Sequence, residues 1–433
     1  MRTTLRLLAL IATVAFSTTA ASAQTTQTAQ KLTLQEAEQI ALQNHPRIQA
    51  AMNLASAAKS QVTETRSAYY PTVMGSLTGV EAENNSRIAA GALNNPIIYD
   101  RYANGVTVSQ LVTDFGRTHE LVKSSNLHAQ SQQENVVASR EDVLLQLDES
   151  YFNALKAQAV LAVAQETVKA RQLASDQVTE LAKNKIRSEL DVNFANVNLA
   201  QAQLLLIQAQ NDLQSSFARL SAALGYSDLR TYQLTDEPLP PAPAVDVSPL
   251  VQQALKDRPE LISQRMAVSS AQSYATAERD LKLPTISAVG TAGLTPVTSS
   301  PLAPRYAAGG FNVNIPIFTG HLYGALESEA ASRAQAETQF LRDLQDQIVR
   351  DVQTAWLNTN SAYQRLSVTQ RMVNEANQAF DLAQGRYTLG LSSIIELTQA
   401  ELNQTEAQIE EASAIYDYEA QYSVLNYQLG ALH

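Results

Sequence analysis

Four short segments of the chain alternate apolar and polar residues, near positions 71–80, 105–114, 284–294 and 310–318. Alternation with a period of two puts the apolar side chains on one face of a β-strand. Each segment has roughly 9–11 residues, the length of a tilted strand that crosses a bilayer. We therefore predict four membrane strands. The alternative is a half-buried sheet in a soluble domain, which the long polar loops at 81–104 and 295–309 and the lack of a covering apolar segment disfavour.

Most of the remaining chain has the pattern of long helices. No glycine or proline occurs between Arg117 and about Ala182, so these roughly 66 residues predict a helix about 100 Å long. In the returning helix, a large apolar residue recurs every seven positions and a small residue follows three later, as in a closely packed coiled coil. The long helix has a seam of the same spacing, with Leu147, Ala154, Leu161 and Val168, and with Val143, Ala157 and Ala164 between them. A second apolar stripe on the long helix, with Leu144 and Leu155, lies beside this seam, which indicates two neighbours in a ring of helices. In the returning helix, the large heptad residues are Val192, Leu199, Leu206, Leu213 and Leu220, and the small ones are Ala195, Ala202, Ala209, Ser216 and Ala223.

The chain contains two copies of one unit. ALQNHP at 41–46 returns as ALKDRP at 254–259, and GVTVSQL at 105–111 returns as GFNVNIP at 310–316. Each copy is predicted as helix, strand, loop, strand, long helix, turn and helix. We predict a first repeat at 24–234 and a second at 250–433, joined by a proline-rich linker at 235–249 whose prolines prevent regular structure.

Each long helix must turn back at a tip. In the second repeat Gly390 suits the left-handed residue that ends a helix. Ser393 and Glu396 then have the spacing of a capping box, as do Ser188 and Asp191 in the first repeat. We therefore predict that Ser188 and Ser393 cap the returning helices.

The two tips differ in character, because the first is basic and lacks glycine whereas the second carries two leucines around its glycine. An apolar pair on an exposed tip indicates a docking site for a partner. The alternative is that both leucines fold under the turn. The candidate docking residues are Lys185, Ile186, Arg187, Leu389, Gly390, Leu391 and Ser392.

Four membrane strands cannot close a barrel within one chain. Barrels start near eight strands, and eight fill their own interior with side chains. Three copies supply twelve strands and room for a channel, and also twelve helical columns if each chain has two long helices and two stacked pairs of shorter ones. The predicted fold is mainly α with membrane β: a trimeric 12-stranded β-barrel continuous with a 12-helix α-barrel. Gly116 and Gly320 are predicted to soften the junctions between strand and helix.

The first 23 residues have the features of a secretory signal peptide: Arg2 and Arg6, an apolar run at 7–16, and a small-x-small site before Gln24. The chain has a formal net charge of −11 and no cysteine. An acidic exported chain is a poor partner for nucleic acid, and no disulfide or thiolate metal site can form. Beyond the signal no apolar run approaches 18 residues, so no transmembrane helix is predicted.

The sequence contains no convincing catalytic, cofactor or metal motif. Its five histidines are scattered, and HELVK at 119–123 has a lysine where a zinc-protease motif needs its second histidine. No phosphate-binding loop, dinucleotide fingerprint or Gly-x-Ser-x-Gly is present. We therefore predict neither an enzyme nor a cofactor or metal site.

Several stretches resemble the TolC-like outer-membrane efflux family: LTLQEAEQIALQNHP at 32–46, LVTDFGR at 111–117, IPIFTG at 315–320, RYTLGLSSIIEL at 386–397, and LG closing each repeat. The resemblance covers essentially all of the mature chain. It implies a homotrimeric channel in the outer membrane of a Gram-negative bacterium, in contact with its lipid and extending into the periplasm. It also implies a periplasmic adaptor and an inner-membrane transporter of the RND or ABC type that supplies the energy. The chain would then be a passive exit duct for efflux or type I secretion.

The resemblance further implies a periplasmic gate at the tips. In the family a tyrosine three residues before the tip glycine pairs with an aspartate at the start of the other hairpin's return helix, and Tyr387 and Asp191 match these positions. Ser392 replaces an arginine that forms another link. Gln399 replaces one of two acidic residues at the entrance, and Glu396 keeps the other. The alternative is that Asp191 and Glu396 are only helix caps.

Two other functions compete with a channel of this kind. A periplasmic coiled-coil adaptor or scaffold without a pore also has helical hairpins, but adaptors usually carry lipoyl-like and small β-barrel modules between them. An ordinary porin would need more strands and less helix. The sequence does not distinguish a drug, a metal ion or a secreted protein as the cargo.

Overall fold

The structure is a computed structural model that describes residues 30–83, 87–90, 93–97, 100–298 and 303–432. The predicted signal peptide at 1–23 lies outside these residues. Within the described ranges no helix is both long enough and apolar enough to cross a membrane.

The two halves of the chain contain matching helices. The first half contains β1 (Gln30–Leu32), α1 (Leu34–Asn44), α2 (Pro46–Arg66), β2 (Thr72–Val80), β3 (Arg87–Ala90), β4 (Leu93–Ile97), β5 (Arg101–Thr113), α3 (Arg117–Lys183), α4 (Glu189–Ala223) and β6 (Tyr232–Leu234). The second contains α5 (Ser248–Asp257), α6 (Pro259–Arg279), β7 (Thr285–Thr298), β8 (Arg305–Asn314), α7 (Leu322–Thr388) and α8 (Ile394–Gln428). Both long helices, α3 and α7, have 67 residues, and both returning helices, α4 and α8, have 35. The predicted long helix from Arg117 is confirmed, since α3 ends one residue after Ala182.

Four long strands form one antiparallel sheet in the order β2-β5-β7-β8, so β2 and β8 lie at its edges. The prediction for the fourth strand is displaced, because β8 covers Arg305–Asn314 rather than 310–318. Pro316 has no N–H to donate, so the ladder of hydrogen bonds ends before it. The apolar residues Ile315 and Ile317 therefore belong to the connection that leads into α7.

The helices form a layer of four columns. Along its first half α3 contacts α2 and α6, the latter through the Ser131–Ser263 hydrogen bond of 2.9 Å. Along its second half α3 contacts α4 and α8, the latter through the Lys156–Asp417 ion pair of 2.8 Å. Helix α7 contacts α6 and α8 from the far side. The columns therefore follow the order α2 with α4, α3, α6 with α8, and α7.

The order of the columns matches the order of the strands in the sheet. Helix α2 leads into β2, β5 leads into α3, α6 leads into β7, and β8 leads into α7. Each strand therefore extends its own helical column, so the sheet and the helical layer are continuous with each other.

The junctions between strand and long helix use two successive left-handed residues. These are Phe115 and Gly116, with φ of 58° and 114°, before α3, and Gly320 and His321, with φ of 61° and 68°, before α7. Gly116 and Gly320 are therefore not equivalent, because glycine is the second residue of the first pair and the first of the second. In the first junction Asp114 fixes the turn by accepting hydrogen bonds from the Thr118 N–H and the Gly116 N–H.

The main apolar core lies halfway along the layer, where α1 and the β1–β6 pair cover α3 and α4. The Tyr151 hydroxyl donates to the carbonyl oxygens of Leu32 at 2.9 Å and Thr235 at 2.7 Å. At the corresponding place in the second repeat, the Trp356 indole N–H donates to the Ala244 oxygen at 2.8 Å. The predicted linker at 235–249 is not wholly irregular, because α5 begins at Ser248, where a proline in the first turn is tolerated.

Candidate functional site

The two hairpin tips end their long helices with the same turn. After α7, Gly390 has φ 73°, its N–H donates to the Tyr387 oxygen, and the next N–H donates to the Arg386 oxygen at 2.8 Å. After α3, Lys185 takes the left-handed conformation with φ 58° and makes the equivalent pair of hydrogen bonds. This is the Schellman arrangement, and the predicted role of Gly390 is confirmed. The first tip reaches the same turn without glycine.

Of the two predicted caps, one forms. The Ser188 hydroxyl accepts from the Asp191 N–H, and the Asp191 carboxylate accepts from the Ser188 N–H, each at 3.2 Å. Ser393 precedes α8, but its side chain makes no capping hydrogen bond, so this part of the prediction is wrong. The carboxylate of Glu396 instead accepts from the Arg386 guanidinium at 3.0 Å, and that competing partner removes one half of the predicted capping box.

The ends of all four lower helices meet in one apolar group, which we call the tip cluster. Its members are Val178, Ala195, Ala383, Tyr387, Ile394, Leu397 and Ala400. Leu389 and Leu391 lie outside it and are 75% and 66% exposed, as is Ile186 at 66%. The alternative that the two leucines fold under the turn is therefore wrong. The structure presents three large apolar side chains at the tips.

The tips are connected by Arg187 of the first hairpin and Tyr387 of the second. The guanidinium of Arg187 lies 4.1 Å from the centre of the Tyr387 ring and donates a hydrogen bond to the Tyr387 backbone oxygen. The Tyr387 side chain is 6% exposed, and its hydroxyl has no hydrogen-bond partner among the described residues. Burial and the nearby Asp191 carboxylate both raise the pKa of this hydroxyl. The Tyr387 hydroxyl therefore makes no hydrogen bond to Asp191, whose carboxylate caps α4 instead.

Above the tips, a buried polar network joins the two hairpins. Arg171 of α3 and Glu401 of α8 form an ion pair of 2.7 Å in which each side chain is 7% exposed. Asn198 of α4 donates to Glu401 at 3.4 Å and to Thr398 at 3.0 Å, and Arg171 donates to Thr405 at 3.4 Å. Burial raises the pKa of Glu401 and lowers that of Arg171, while the attraction between the two charges opposes both shifts.

Sequence reasoning did not find this network, although a signal for it was present. The apolar seam of α3 places Ala157 and Ala164 seven residues apart, and the next position in that series is Arg171. A charged residue at a seam position needs a buried partner. The partner, Glu401, lies in the other repeat, where no local pattern connects it to Arg171. The described residues contain no cluster of histidine and carboxylate side chains that could hold a metal ion.

Comparison with known proteins identifies the family. Residues 37–226 and 250–431 match the family model described as outer membrane efflux protein. The chain belongs to the outer membrane efflux protein family. Relatives of this family include the outer membrane protein TolC of Escherichia coli (strain K12), which is 23% identical over 361 residues, covering 77% of this chain and 72% of that protein. The alkaline protease secretion protein AprF of Pseudomonas aeruginosa is 24% identical over 412 residues, covering 91% of this chain and 83% of that protein.

Solved structures of the efflux family show the same fold. The Campylobacter jejuni CmeC outer membrane channel matches with a TM-score of 0.79 at 17% identity, covering 92% of this chain and 85% of that one. The predicted resemblance is therefore confirmed, and so is the location in the outer membrane. The chain is an exit channel for efflux or secretion, and a coiled-coil adaptor without a pore is not favoured. The family is one of transport conduits.

Proposed function

We propose that three copies of the chain close into one tunnel that crosses the outer membrane and continues through the periplasm. The strongest support is that the strands of the sheet and the columns of the helical layer follow the same order. The sheet and the helical layer therefore have their unpaired edges on the same two sides of the chain. One side consists of β2 with α2 and α4, and the other of β8 with α7. Joining unlike edges head to tail generates a ring.

The directions of the elements permit this closure. Successive strands of the sheet are antiparallel, so β8 of one copy runs antiparallel to β2 of the next. The same holds for α7 and α4, which run in opposite directions along the layer. With four strands from each chain, three copies give twelve, and a barrel of this size leaves a lumen that eight strands would fill.

The two helical edges carry unpartnered apolar stripes. On α4 the stripe contains Leu190, Val197, Leu204 and Ile207, each more than half exposed. At 100° per residue, it lies opposite the face of α4 that packs on α3. On α7 the stripe contains Leu357, Val368 and Leu382, also more than half exposed and opposite the face that packs on α8. Helices with apolar stripes on two opposite faces need neighbours on both sides.

We further propose that the tips serve as the gate and as the docking site for a periplasmic adaptor. The exposed side chains of Ile186, Leu389 and Leu391 supply an apolar contact surface, and the Arg187–Tyr387 contact controls the separation of the hairpins. An inner-membrane transporter of the RND or ABC type supplies the energy through the adaptor. The chain itself is a passive conduit and performs no catalysis.

Assembly and conduction are tested with a change in the edge stripe. Leu204→Lys places a charge in the proposed contact between copies without disturbing the fold of one copy, since the side chain is 66% exposed. In detergent, light scattering coupled to size exclusion should show a trimer for the wild type and a monomer for Leu204→Lys. The matched control Gln203→Lys, on an adjacent exposed face, should stay trimeric. A monomeric wild type, or a trimer without conductance in planar bilayers, would contradict the proposal.

A further inference from the structure

Polar pairs along the contact between α3 and α8 differ in burial. The Lys156–Asp417 pair leaves its two side chains 33% and 31% exposed, whereas Arg171 and Glu401 are each 7% exposed. Water replaces an exposed ion pair at little cost, but separating a buried pair leaves charges without compensation. Separation of the two helices is therefore opposed most strongly at Arg171 and Glu401.

Two grooves flank the ion pair at the same height. Grooves of about 410 Å³ and about 80 Å³ open on the α7 side and the α4 side of this contact. Both are lined by Arg171, Glu401 and Thr405. Because these grooves flank the pair on both faces, the ion pair and its hydrogen bonds are a principal connection between the hairpins here.

Below the ion pair, the contact between the two hairpins leaves several buried polar groups unsatisfied. The tip cluster joins them, but the Tyr387 hydroxyl, the Ser392 hydroxyl and the Arg187 Nε are buried and have no hydrogen-bond partners among the described residues. Separation of the tips would let water hydrogen-bond to these groups, and this gain lowers the free energy needed to separate the tips. From the helix rise of 1.5 Å per residue, the ion pair lies roughly 10–18 Å from the ends of α3 and α8.

We propose that Arg171 and Glu401 form a fulcrum between the two hairpins of one chain, which fixes their distance and confines tip separation to the helix ends below it. This inference rests on the channel proposed above, since it assigns the ion pair a role in setting how far the tunnel opens. Both residues are positioning residues, because they act through the helices that carry them.

The test uses the full-length protein with Glu401→Gln, which leaves Arg171 buried without a counter-charge. The chain has no cysteine, so cysteines introduced at Glu166 and Glu410 would be the only sites for thiol-reactive spin labels. Both positions are exposed and lie above the ion pair, on α3 and α8. Double electron–electron resonance in detergent should show a longer mean distance and a broader distance distribution between the labels in Glu401→Gln than in the wild type. Single-channel conductance in planar bilayers should rise. Lys156→Gln, at the exposed pair on the same contact, is the matched control and should change neither quantity.

Two further variants keep the test decisive. Arg171→Lys retains the charge and should preserve most of the wild-type distance. If Glu401→Gln does not assemble, Glu401→Asp can replace it. Its side chain is one methylene shorter and contacts Arg171 less well, so the distance between the labels should increase, but by less than in Glu401→Gln. An unchanged distance and conductance together with a lower melting temperature would show that the pair only stabilises the fold, and would overturn the inference. A wild type without conductance would instead contradict the channel, and the distance measurement would still decide the role of the ion pair.

Discussion

Tyr387→Phe removes one oxygen from the proposed gate and leaves the aromatic ring in place. In the structure the hydroxyl is buried without a partner among the described residues, whereas the contact with Arg187 uses the ring and the backbone oxygen. The family resemblance predicts that this hydroxyl is a link whose loss opens the channel. The geometry leads to the opposite expectation, that Tyr387→Phe keeps the tips together.

The magnitudes follow from the contacts. An unsatisfied buried hydroxyl costs about 1–3 kcal/mol, so Tyr387→Phe should leave the closed arrangement unchanged or stabilise it. Arg187→Ala, in contrast, removes a charged hydrogen bond of about 1.5–3 kcal/mol and a cation–π contact of about 0.5–2 kcal/mol, reduced because Arg187 is partly exposed. A net loss of about 1.4 kcal/mol in each chain shifts the equilibrium between joined and separated tips about tenfold.

Single-channel conductance in planar bilayers distinguishes these expectations. Tyr387→Phe should conduct as the wild type does, and Arg187→Ala should conduct more. Tyr387→Ala, which removes the ring from both the cation–π contact and the tip cluster, should behave like Arg187→Ala. If Tyr387→Phe raised the conductance as much as Arg187→Ala, the hydroxyl would have to be a link to Asp191 or to a neighbouring chain, and the reasoning would be refuted.

Three other predictions concern the stability of the fold. Lys185→Gly relieves a left-handed residue that costs about 1–2 kcal/mol and should slow hydrogen exchange of the Ile186 amide, even after the greater entropy of glycine is subtracted. Burial raises the pKa of Asp148 and of Glu419 to about 7. The folded chain therefore keeps protons that the unfolded chain releases above about pH 4, so stability falls as the pH rises towards and through about 7, and the melting temperature should be lower at about pH 8 than at about pH 6. Tyr151→Phe removes the hydroxyl that bonds the carbonyl oxygens of Leu32 and Thr235 and should lower the free energy of unfolding by about 1–3 kcal/mol, measured by urea denaturation.

Each of these has a matched control. Gly390→Lys should speed exchange at the equivalent amide of the second tip, and equal rates before and after the change would argue against backbone strain. Asp148→Asn with Glu419→Gln should reduce the pH dependence of the melting temperature, with the remainder due to Glu141, whose pKa burial also raises to about 7. An unaltered slope would assign the pH dependence to other groups. Tyr70→Phe, at a hydroxyl on a well-exposed side chain, should leave the free energy of unfolding unchanged.

The long helices could be predicted from the sequence because their determinants are local and continuous. No residue between Arg117 and Ala182 breaks a helix, and the heptad pattern continues through the returning helix. The Ser188 cap was predictable for the same reason, since both partners of its capping box lie within one turn. The fourth strand was misplaced because the alternation of apolar residues continues past Pro316, and a period of two does not show where the hydrogen-bond ladder ends.

The contacts of the candidate site could not be predicted from the sequence, because they join residues that are far apart along the chain. Ser393 and Glu396 have the same spacing as the pair in the first repeat, but Arg386 on the preceding helix takes the Glu396 carboxylate. The contact between Arg187 and Tyr387, and the pair of Arg171 with Glu401, join residues of different repeats. A basic tip and a charged seam position are visible in the sequence, whereas the partners appear only once the two hairpins are placed side by side.

The unpaired edges of the sheet have a consequence for how the protein is made. Strand β2 contains no charged residue and β8 contains only Arg305, so a single copy in the periplasm lacks the lysines and inward charges that usually stop strands from adding to one another. Its free N–H and C=O groups would accept any extended chain, correct or not. We therefore expect newly exported copies to aggregate through these edges unless the edges are shielded or paired with the edges of other copies.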